Sequence, residues 1–460
     1  MKIKVYFFRD MCGIAGVVGN SEGVSMQDAL AAIYHRGPDN NGTWSSNGTI
    51  LGHTRLSILD LSDDANQPIT SRCKRYTISY NGEVYNYKDL IFKYNLTNLK
   101  TTSDTEVVLE LFAKLGVESF KQFNGMFAMA IHDSQDNKVY LVRDRLGIKP
   151  LYYAKYEQKI CFSSEIKALE KLGIIKNNIN ISKLNEWFYY GNSLGKETLL
   201  QGVKKIMPGT YAVIDVNSLF LEENVYWSVN KILTSSNIKK KLNEENIVFK
   251  IRNLLKQSVK RQLASDVPVG VLLSGGIDSS AITAFAAQEL GNNLKTYFAK
   301  FDYNQGVDES SKARQIAEKY KTDHYEIEIN DYDTVEAIVK MVEAHDHPFS
   351  DAANIPIYLI SKKIKDKTKV ILQGDGGDEL FGGYKRYKTL ANFKSMKLLS
   401  NLGRVLNKFT FKNSGYYRRQ RYIDALSHDS DFEILAALLT VESKRYKPTH
   451  VLCDLFREKV

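Results

Sequence analysis

Cysteine is scarce in this chain. There are four in 460 residues, Cys12, Cys73, Cys161 and Cys453, and no two of them form a Cys-x-x-C pair. That spacing excludes a disulfide framework and a thiolate zinc site. Long apolar runs are missing too: nothing approaches the roughly 18 consecutive apolar residues of a membrane-spanning helix, so no membrane partner is expected. The first ten residues hold only Val5-Tyr6-Phe7-Phe8 between Lys4 and Arg9. This is far short of a secretory signal, and the cytoplasm is the expected compartment. A concentrated basic stripe is also absent. The +10 formal charge arises from 63 Lys and Arg against 53 Asp and Glu, and the lysines are scattered among Asn, Asp and Glu. Nucleic-acid readers carry a repeated basic patch, so the excess reads as a solvated surface, with no nucleic acid expected. The densest basic stretch, Tyr416-Tyr417-Arg418-Arg419-Gln420-Arg421-Tyr422, reads as a helix face or partner surface.

The length calls for two domains of roughly 200 residues each. The front half carries short strands and turns. Gly13-Ile14-Ala15-Gly16-Val17-Val18-Gly19 is a buried strand, and Tyr76-Thr77-Ile78-Ser79-Tyr80 runs into the turn signal Asn81-Gly82. Runs at 126–131 and 138–142 flank a polar turn and predict a hairpin, with helices at 26–34 and 105–115. The polar stretch 235–246 reads as a boundary. Beyond it strands and helices alternate: helix 247–263, strand 267–273, helix 279–290, strand 296–301, helix 309–320 and strand 324–329. That rhythm predicts a doubly wound parallel sheet.

Met11-Cys12-Gly13-Ile14-Ala15-Gly16 is the first block that carries chemistry. A thiol attacks only as thiolate and needs a base beside it; a free α-amine on Cys12 itself would serve. Alone, the block also reads as a structural Cys among strand glycines. It is followed in order by Tyr34-His35-Arg36-Gly37-Pro38-Asp39, Gly52-His53-Thr54-Arg55-Leu56-Ser57-Ile58, Asn81-Gly82-Glu83-Val84-Tyr85-Asn86, Ser103-Asp104-Thr105-Glu106, Phe123-Asn124-Gly125-Met126-Phe127-Ala128 and Arg143-Asp144-Arg145-Leu146-Gly147-Ile148-Lys149-Pro150-Leu151-Tyr152-Tyr153. This series, from Met11 to about Pro208, resembles the glutaminase domain of class II glutamine amidotransferases, and within them the glutamine-hydrolysing asparagine synthetases. The resemblance implies an N-terminal-nucleophile αββα sandwich. It implies that Cys12 attacks the glutamine carboxamide, Arg55 holds the α-carboxylate, and Asp104 and Glu83 hold the α-ammonium. Asn81 and the Gly82 N–H would form the oxyanion hole. His35 and His53 read as structural. The family begins Met-Cys, whereas ten residues precede Met11 here; a start at Met11, or a clipped leader, is the expectation.

In the back half, Leu273-Ser274-Gly275-Gly276-Ile277-Asp278-Ser279-Ser280 joins a buried strand to a helix. Small residues there let backbone N–H groups approach phosphate oxygens, and the Lys of a Walker A loop is absent. A second apolar strand, Val370-Ile371-Leu372-Gln373, ends in Gly374-Asp375-Gly376-Gly377-Asp378. Carboxylates facing phosphates call for a cation, which makes Asp278 and Asp378 the expected Mg2+ ligands. These blocks resemble the ATP-pyrophosphatase fold of asparagine synthetases. The resemblance implies nucleotide contacts from Leu273, Ser274, Gly275, Gly276, Asp278, Ser279, Ser280 and Gly374. Asp375 stands where the family commonly carries a catalytic Glu. Asp308-Glu309 and Pro348-Phe349-Ser350-Asp351 also fit the pattern, as helix cap and loop carboxylate or as substrate contacts. The family's Arg-x-Pro-Phe-Leu-Asp stretch and its downstream Lys are not found between Lys388 and Val460.

The expected organisation is a glutaminase domain at 12–208, a connecting region at 209–246 and a synthetase domain at 247–460, shortened at its C-terminus. The expected activity is ATP-dependent amidation of aspartate through its adenylate, with ATP and Mg2+ as cofactors and ammonia drawn from glutamine through an internal tunnel. A homodimer is compatible with this reading. Two rivals stay open: amidation of a sugar acid in surface-polysaccharide assembly, and a remnant that only hydrolyses glutamine.

Overall fold

The computed structural model describes residues 2–6, 11–46, 48–173, 178–234, 243–301, 309–329, 331–346, 351, 353–392, 422–426, 428 and 430–439. The basic stretch at 416–421, Asp308, Pro348-Phe349-Ser350 and Cys453 lie outside them.

The front half is a two-sheet sandwich between helical layers, as the expected αββα fold requires. The first six-stranded sheet runs Val203–Lys205, Tyr152–Tyr156, Lys159–Ser163, Gly13–Gly19, Thr49–Arg55, Asn40–Ser46; its named pairings are antiparallel. The second runs Leu221–Val225, Thr210–Asp215, Lys138–Arg143, Gly125–Asp133, Tyr76–Val84, Ile69–Thr70, also antiparallel. Alternate side chains of a strand point to opposite faces, and here both faces are buried. Ile14, Val18, Leu51 and Phe162 meet Ala128, Ala130, Leu141 and Ile214 between the sheets. On the outer side of the first sheet, Ala15 and Val17 pack with Met26, Ala29 and Leu30 of helix Met26–Ala32. Outside the second sheet, Ile78, Tyr80 and Met129 pack with Val107, Val108, Leu111 and Phe112 of helix Asp104–Leu115. A Cβ on Gly16 would press into the Phe162 ring. Within 209–246, expected as a connector, strands Thr210–Asp215 and Leu221–Val225 extend the second sheet, with every other residue of the first of them buried.

The back half is a five-stranded sheet in the order Lys2–Tyr6, Val370–Asp375, Val269–Leu272, Lys295–Phe301, Asp323–Ile329. Its last four strands are mutually parallel, and the N-terminal strand adds to the edge antiparallel. Helices Glu244–Gln262 and Ile277–Leu290 pack into one apolar cluster and helix Asn354–Ile364 into another. The expected alternation is borne out. No helix among the described residues is long and apolar enough to cross a membrane.

The two halves share a core. Leu56, Ile58 and Met126 of the front join Val259, Val271, Ile282 and Leu372 of the back, with Met11 and Cys12 packed against them. The Asp60 N–H donates to Asp266 Oδ2 at 2.7 Å and the Asp266 N–H to the Ile58 carbonyl at 2.9 Å. The Ile166 N–H donates to Asp346 Oδ2 at 2.6 Å.

Candidate functional site

Cys12 lies one residue before strand Gly13–Gly19, at the sandwich end that faces the back domain. Its Sγ receives the Leu56 N–H at 3.4 Å, and Arg36 Nε donates to its carbonyl at 3.1 Å. Burial pushes the thiol's pKa up, opposed by the Leu56 backbone and then by Lys149, Arg55 and Arg36. The thiol therefore needs a base to become a nucleophile.

One pocket brings Cys12 together with Arg55, Asn81, Gly82, Glu83, Asp104 and Lys149. All five glutaminase residues expected beside Cys12 are among them. Asn81 is 1% exposed and its Nδ2 has no hydrogen-bond partner. A buried amide left unsatisfied costs about 1–3 kcal/mol, which a ligand oxygen at that position would recover. Gly82 sits in the same strand, Tyr76–Val84, where a Cβ would lie 2.7 Å from Phe127 Cα. Arg55 ends strand Thr49–Arg55 and donates to Ser62 O (2.8 Å), Asn66 Oδ1 (2.7 Å) and Asp60 O. Those acceptors are neutral, and no carboxylate lies within ion-pair distance of the guanidinium among the described residues. It is held rigid with its charge left for an anion. Asp104 opens helix Asp104–Leu115, and its Oδ2 accepts from Tyr80 Oη and the Val84 N–H, each at 2.8 Å. The pocket thus carries both cationic and carboxylate side chains, the two charges a zwitterionic α-amino acid requires.

Neither His35 nor His53 lines this pocket. His53 is buried with Nε2 3.0 Å from the Tyr80 carbonyl, and burial pushes it down to about 3. His35 Nε2 sits 3.1 Å from Glu165.

The second constellation lies at the C-terminal ends of the parallel strands, where open α/β sheets bind ligands. Ser274 Oγ and Ser279 Oγ are 3.0 Å apart, and the Ser274 N–H donates to Ser279 Oγ at 3.2 Å. Gly275 takes φ +74°, and a Cβ on it would lie 2.8 Å from Lys312 Cβ. Helix Ile277–Leu290 starts at Gly276 with no side-chain cap, leaving its first N–H groups for an anion. The Leu273 side chain is buried with Ala313 and Ala317, so this residue offers backbone only. Asp278 abuts the neighbouring turn: a Cβ on Gly374 would lie 2.8 Å from Asp278 Cβ, and one on Gly377 2.6 Å from Asp278 Oδ2. Burial, then the Asp378 charge, pushes the Asp278 carboxyl up. Asp375 is exposed and accepts from Gln373 Nε2.

Three families of contact escaped the sequence. Lys149 is 2% exposed and lines the Cys12 pocket. Arg36 reaches the Cys12 carbonyl while bonding Glu165 Oε1 at 2.7 Å. Asp346 serves Ile166 from the other domain. The first two had a local signal, their places in motif blocks. Between the domains lies a cleft of about 490 Å³ lined by Tyr85, Met126 and Ile148 on one side and Leu254, Leu255 and Phe381 on the other.

The sequence family described as a glutamine amidotransferase domain matches residues 11–227, and that described as asparagine synthase matches 250–453. A Methanocaldococcus jannaschii relative, provisionally named asparagine synthetase (glutamine-hydrolyzing) 2, is 34% identical over 397 residues, covering 81% of this chain and 76% of that protein. The chain belongs to the glutamine-hydrolysing asparagine synthetase family. Asparagine synthetase (glutamine-hydrolyzing) 1 of Bacillus subtilis is 33% identical over 408 residues, 86% of this chain and 62% of that protein. The chain therefore spans less than two thirds of this bacterial relative. A solved structure, glutamine phosphoribosylpyrophosphate amidotransferase from B. subtilis complexed with ADP and GMP, aligns at 16% identity over 65% of this chain and 70% of that one, with TM-score 0.37. Both expected modules of an asparagine synthetase are thus present, in the expected order.

Proposed function

We propose that this chain makes asparagine from aspartate, ATP and glutamine, with glutamine cleaved at Cys12. The observation that carries the reading is the buried Asn81 Nδ2, without a partner and in one pocket with the nucleophile. A donor held that way costs nothing to reorganise when negative charge develops on a substrate oxygen.

Arg55 receives the glutamine α-carboxylate, and Asp104 with Glu83 receives the α-ammonium. With Cys12 as first residue, its α-amine takes the thiol proton and the sulfur attacks the side-chain carbonyl. Asn81 Nδ2 and the Gly82 N–H receive the oxyanion. The α-ammonium returns its proton to the leaving nitrogen, ammonia departs, and water splits the thioester to glutamate. An internal Cys12 has no α-amine, so this mechanism works only in a chain cut or started at this residue. The released ammonia meets an apolar domain interface of Met126, Ile148, Val271 and Ile282, which favours neutral ammonia over ammonium.

At the second site, Ser274, Gly275, Gly276, Ser279 and Ser280 would receive the ATP phosphates through N–H and hydroxyl groups, with Gly374 close to the nucleotide. Asp278 and Asp378 fit a divalent cation, because two adjacent carboxylates raise one another's affinity for positive charge. Mg2+ there would neutralise the phosphates. Adenylation of the aspartate side chain turns a poor leaving oxygen into AMP, which ammonia displaces.

The Asp375 carboxyl, one methylene shorter than Glu and bonded to Gln373, leaves room for one rival acceptor, a sugar acid. Pyrophosphate release with aspartate against uronic acids separates the two readings. Release with uronic acids and none with aspartate rejects asparagine, and glutamate formation without any pyrophosphate leaves a glutaminase only.

A further inference from the structure

The start of the nucleophile strand is held by one short segment, Ser163-Ser164-Glu165, at the end of strand Lys159–Ser163. The Ile14 N–H donates to Ser164 Oγ at 3.0 Å. The Ile14 carbonyl accepts from Ser163 Oγ at 3.0 Å and from the Ser164 N–H at 2.9 Å. Glu165 reaches two residues further back, to Cys12, through Arg36. Its Oε1 accepts from Arg36 Nη1 at 2.7 Å, and Arg36 Nε donates to the Cys12 carbonyl at 3.1 Å. Gly13 leaves room for this approach: a Cβ there would lie 3.3 Å from Arg36 Cδ.

Arg36 is buried, and its Nη2 has no hydrogen-bond partner among the described residues. Among those residues Glu165 is also the one carboxylate within ion-pair distance of the guanidinium. Two groups therefore aim it, Glu165 and the Cys12 carbonyl. Glu165 is fixed in turn: its Oε2 lies 3.1 Å from His35 Nε2 and 3.0 Å from Lys167 Nζ. Lys167 Nζ donates to the Glu343 and Ala344 carbonyls, at the end of helix Asp331–His345 of the back half, at 3.0 and 3.2 Å. Burial works to raise the Glu165 carboxyl, but Arg36, then His35 and Lys167, outweigh it and hold the group well below the usual carboxylate range. In a chain that begins at Cys12, no peptide bond holds this residue from the front. Its amine and thiol hang from one Cα, so the placement of the Cys12–Gly13 peptide aims base and nucleophile together. We propose that Glu165 is a positioning residue of the glutaminase: by holding Arg36 on the Cys12 carbonyl, it fixes the peptide plane from which the thiol and amine project. This rests on the glutaminase reading above. Glu165 does not line the pocket around Cys12, so it acts on the rate of attack and leaves substrate binding alone.

The test uses the full chain beginning at Cys12, as wild type, Glu165→Gln, Arg36→Met and the double variant. Glutamine hydrolysis is followed for kcat and KM, and a melting transition above the assay temperature confirms each fold. Glu165→Gln keeps the side-chain shape and an oxygen for Arg36 but removes the charge that strengthens their hydrogen bond. A reacting group misplaced by about 1 Å costs as much as 10²-fold in rate. Glu165→Gln is therefore expected to lower kcat by about 10–100-fold and to leave KM within about twofold. The double variant is expected to be no slower than Arg36→Met alone, since both changes break one chain of contacts. If Glu165→Gln does not fold, Arg36→Lys replaces it: a single ammonium cannot span both partners, so the same loss of kcat is expected, and a wild-type rate overturns the proposal. Kinetics of Glu165→Gln equal to wild type, a loss confined to KM, or losses that multiply in the double variant also overturn it. A wild type that cleaves no glutamine rejects the glutaminase reading itself, and Glu165 falls with it.

Discussion

Replacing Asp346 with Asn removes a charge that the fold holds at a cost. Asp346 accepts the Ile166 N–H at 2.6 Å, at the start of helix Ile166–Lys171, whose own N-cap residue, Glu165, makes no side-chain cap. The Glu165 carboxylate is occupied by Arg36, His35 and Lys167, so the cap comes from the other domain. Burial first, then Glu165, pushes the Asp346 carboxyl from 3.8 up to about 6, against Lys167 and the Ile166 N–H. A carboxyl raised in the folded state binds its proton more tightly there than when unfolded. Its stabilising contribution is complete below about 4 and is lost as pH climbs through about 6. A shift of that size corresponds to roughly 3 kcal/mol at neutral pH. An Asn keeps an oxygen for the Ile166 N–H and drops the charge, while Lys167 retains Glu165 at 3.0 Å. Allowing for the lost 3.4 Å pairing with Lys167, Asp346→Asn should stabilise the protein by about 1–2 kcal/mol at pH 7.5, a rise of about 2–8 °C in melting temperature. Thermal melts of both proteins from pH 4.5 to 8 measure this. The gap should close toward pH 4.5. A variant that melts lower at pH 7.5, or a gap independent of pH, refutes the reasoning.

Asn81→Ala should lower the glutaminase kcat by about 10²–10³-fold with little change in KM, because the amide acts on the transition-state oxyanion; steady-state kinetics with the mature chain checks this. Arg55→Lys should instead raise KM for glutamine by about tenfold or more, since a point charge replaces a fork already anchored by Ser62 and Asn66; a change confined to kcat would contradict the assignment. Gly377→Ala drives a Cβ to 2.6 Å from Asp278 Oδ2. It should abolish AMP formation while leaving glutamine hydrolysis intact, and loss of both would show that the damage spreads beyond the second site.

The parts legible in sequence were those written in contiguous residues. Gly275-Gly276 and Gly376-Gly377 announce close backbone approach, and Asn81-Gly82 stands in a block whose meaning does not depend on distant partners. The alternation of strands and helices after residue 247 fixed the second fold for the same reason. Asp346 was not legible because its partner, Ile166, is 180 residues away. Lys149 stood in a motif block, but its burial in the Cys12 pocket comes from tertiary packing. The strand at Thr210–Asp215 had its alternating burial, but only tertiary pairing with Lys138–Arg143 assigns it to the front sheet. The strand Lys2–Tyr6 was passed over as a leader, yet its backbone pairs with Val370–Asp375.

On the proposed function, sulfur chemistry at Cys12 feeds phosphate chemistry at Asp278 and Asp378. Incubating the mature chain with amide-¹⁵N glutamine, aspartate, ATP and Mg2+ tests it in one mass spectrum. Labelled asparagine and AMP are expected in equal amounts; Cys12→Ala abolishes both, and added unlabelled ammonia restores AMP and asparagine without the label. Glutamate accumulating with neither AMP nor labelled asparagine would contradict it.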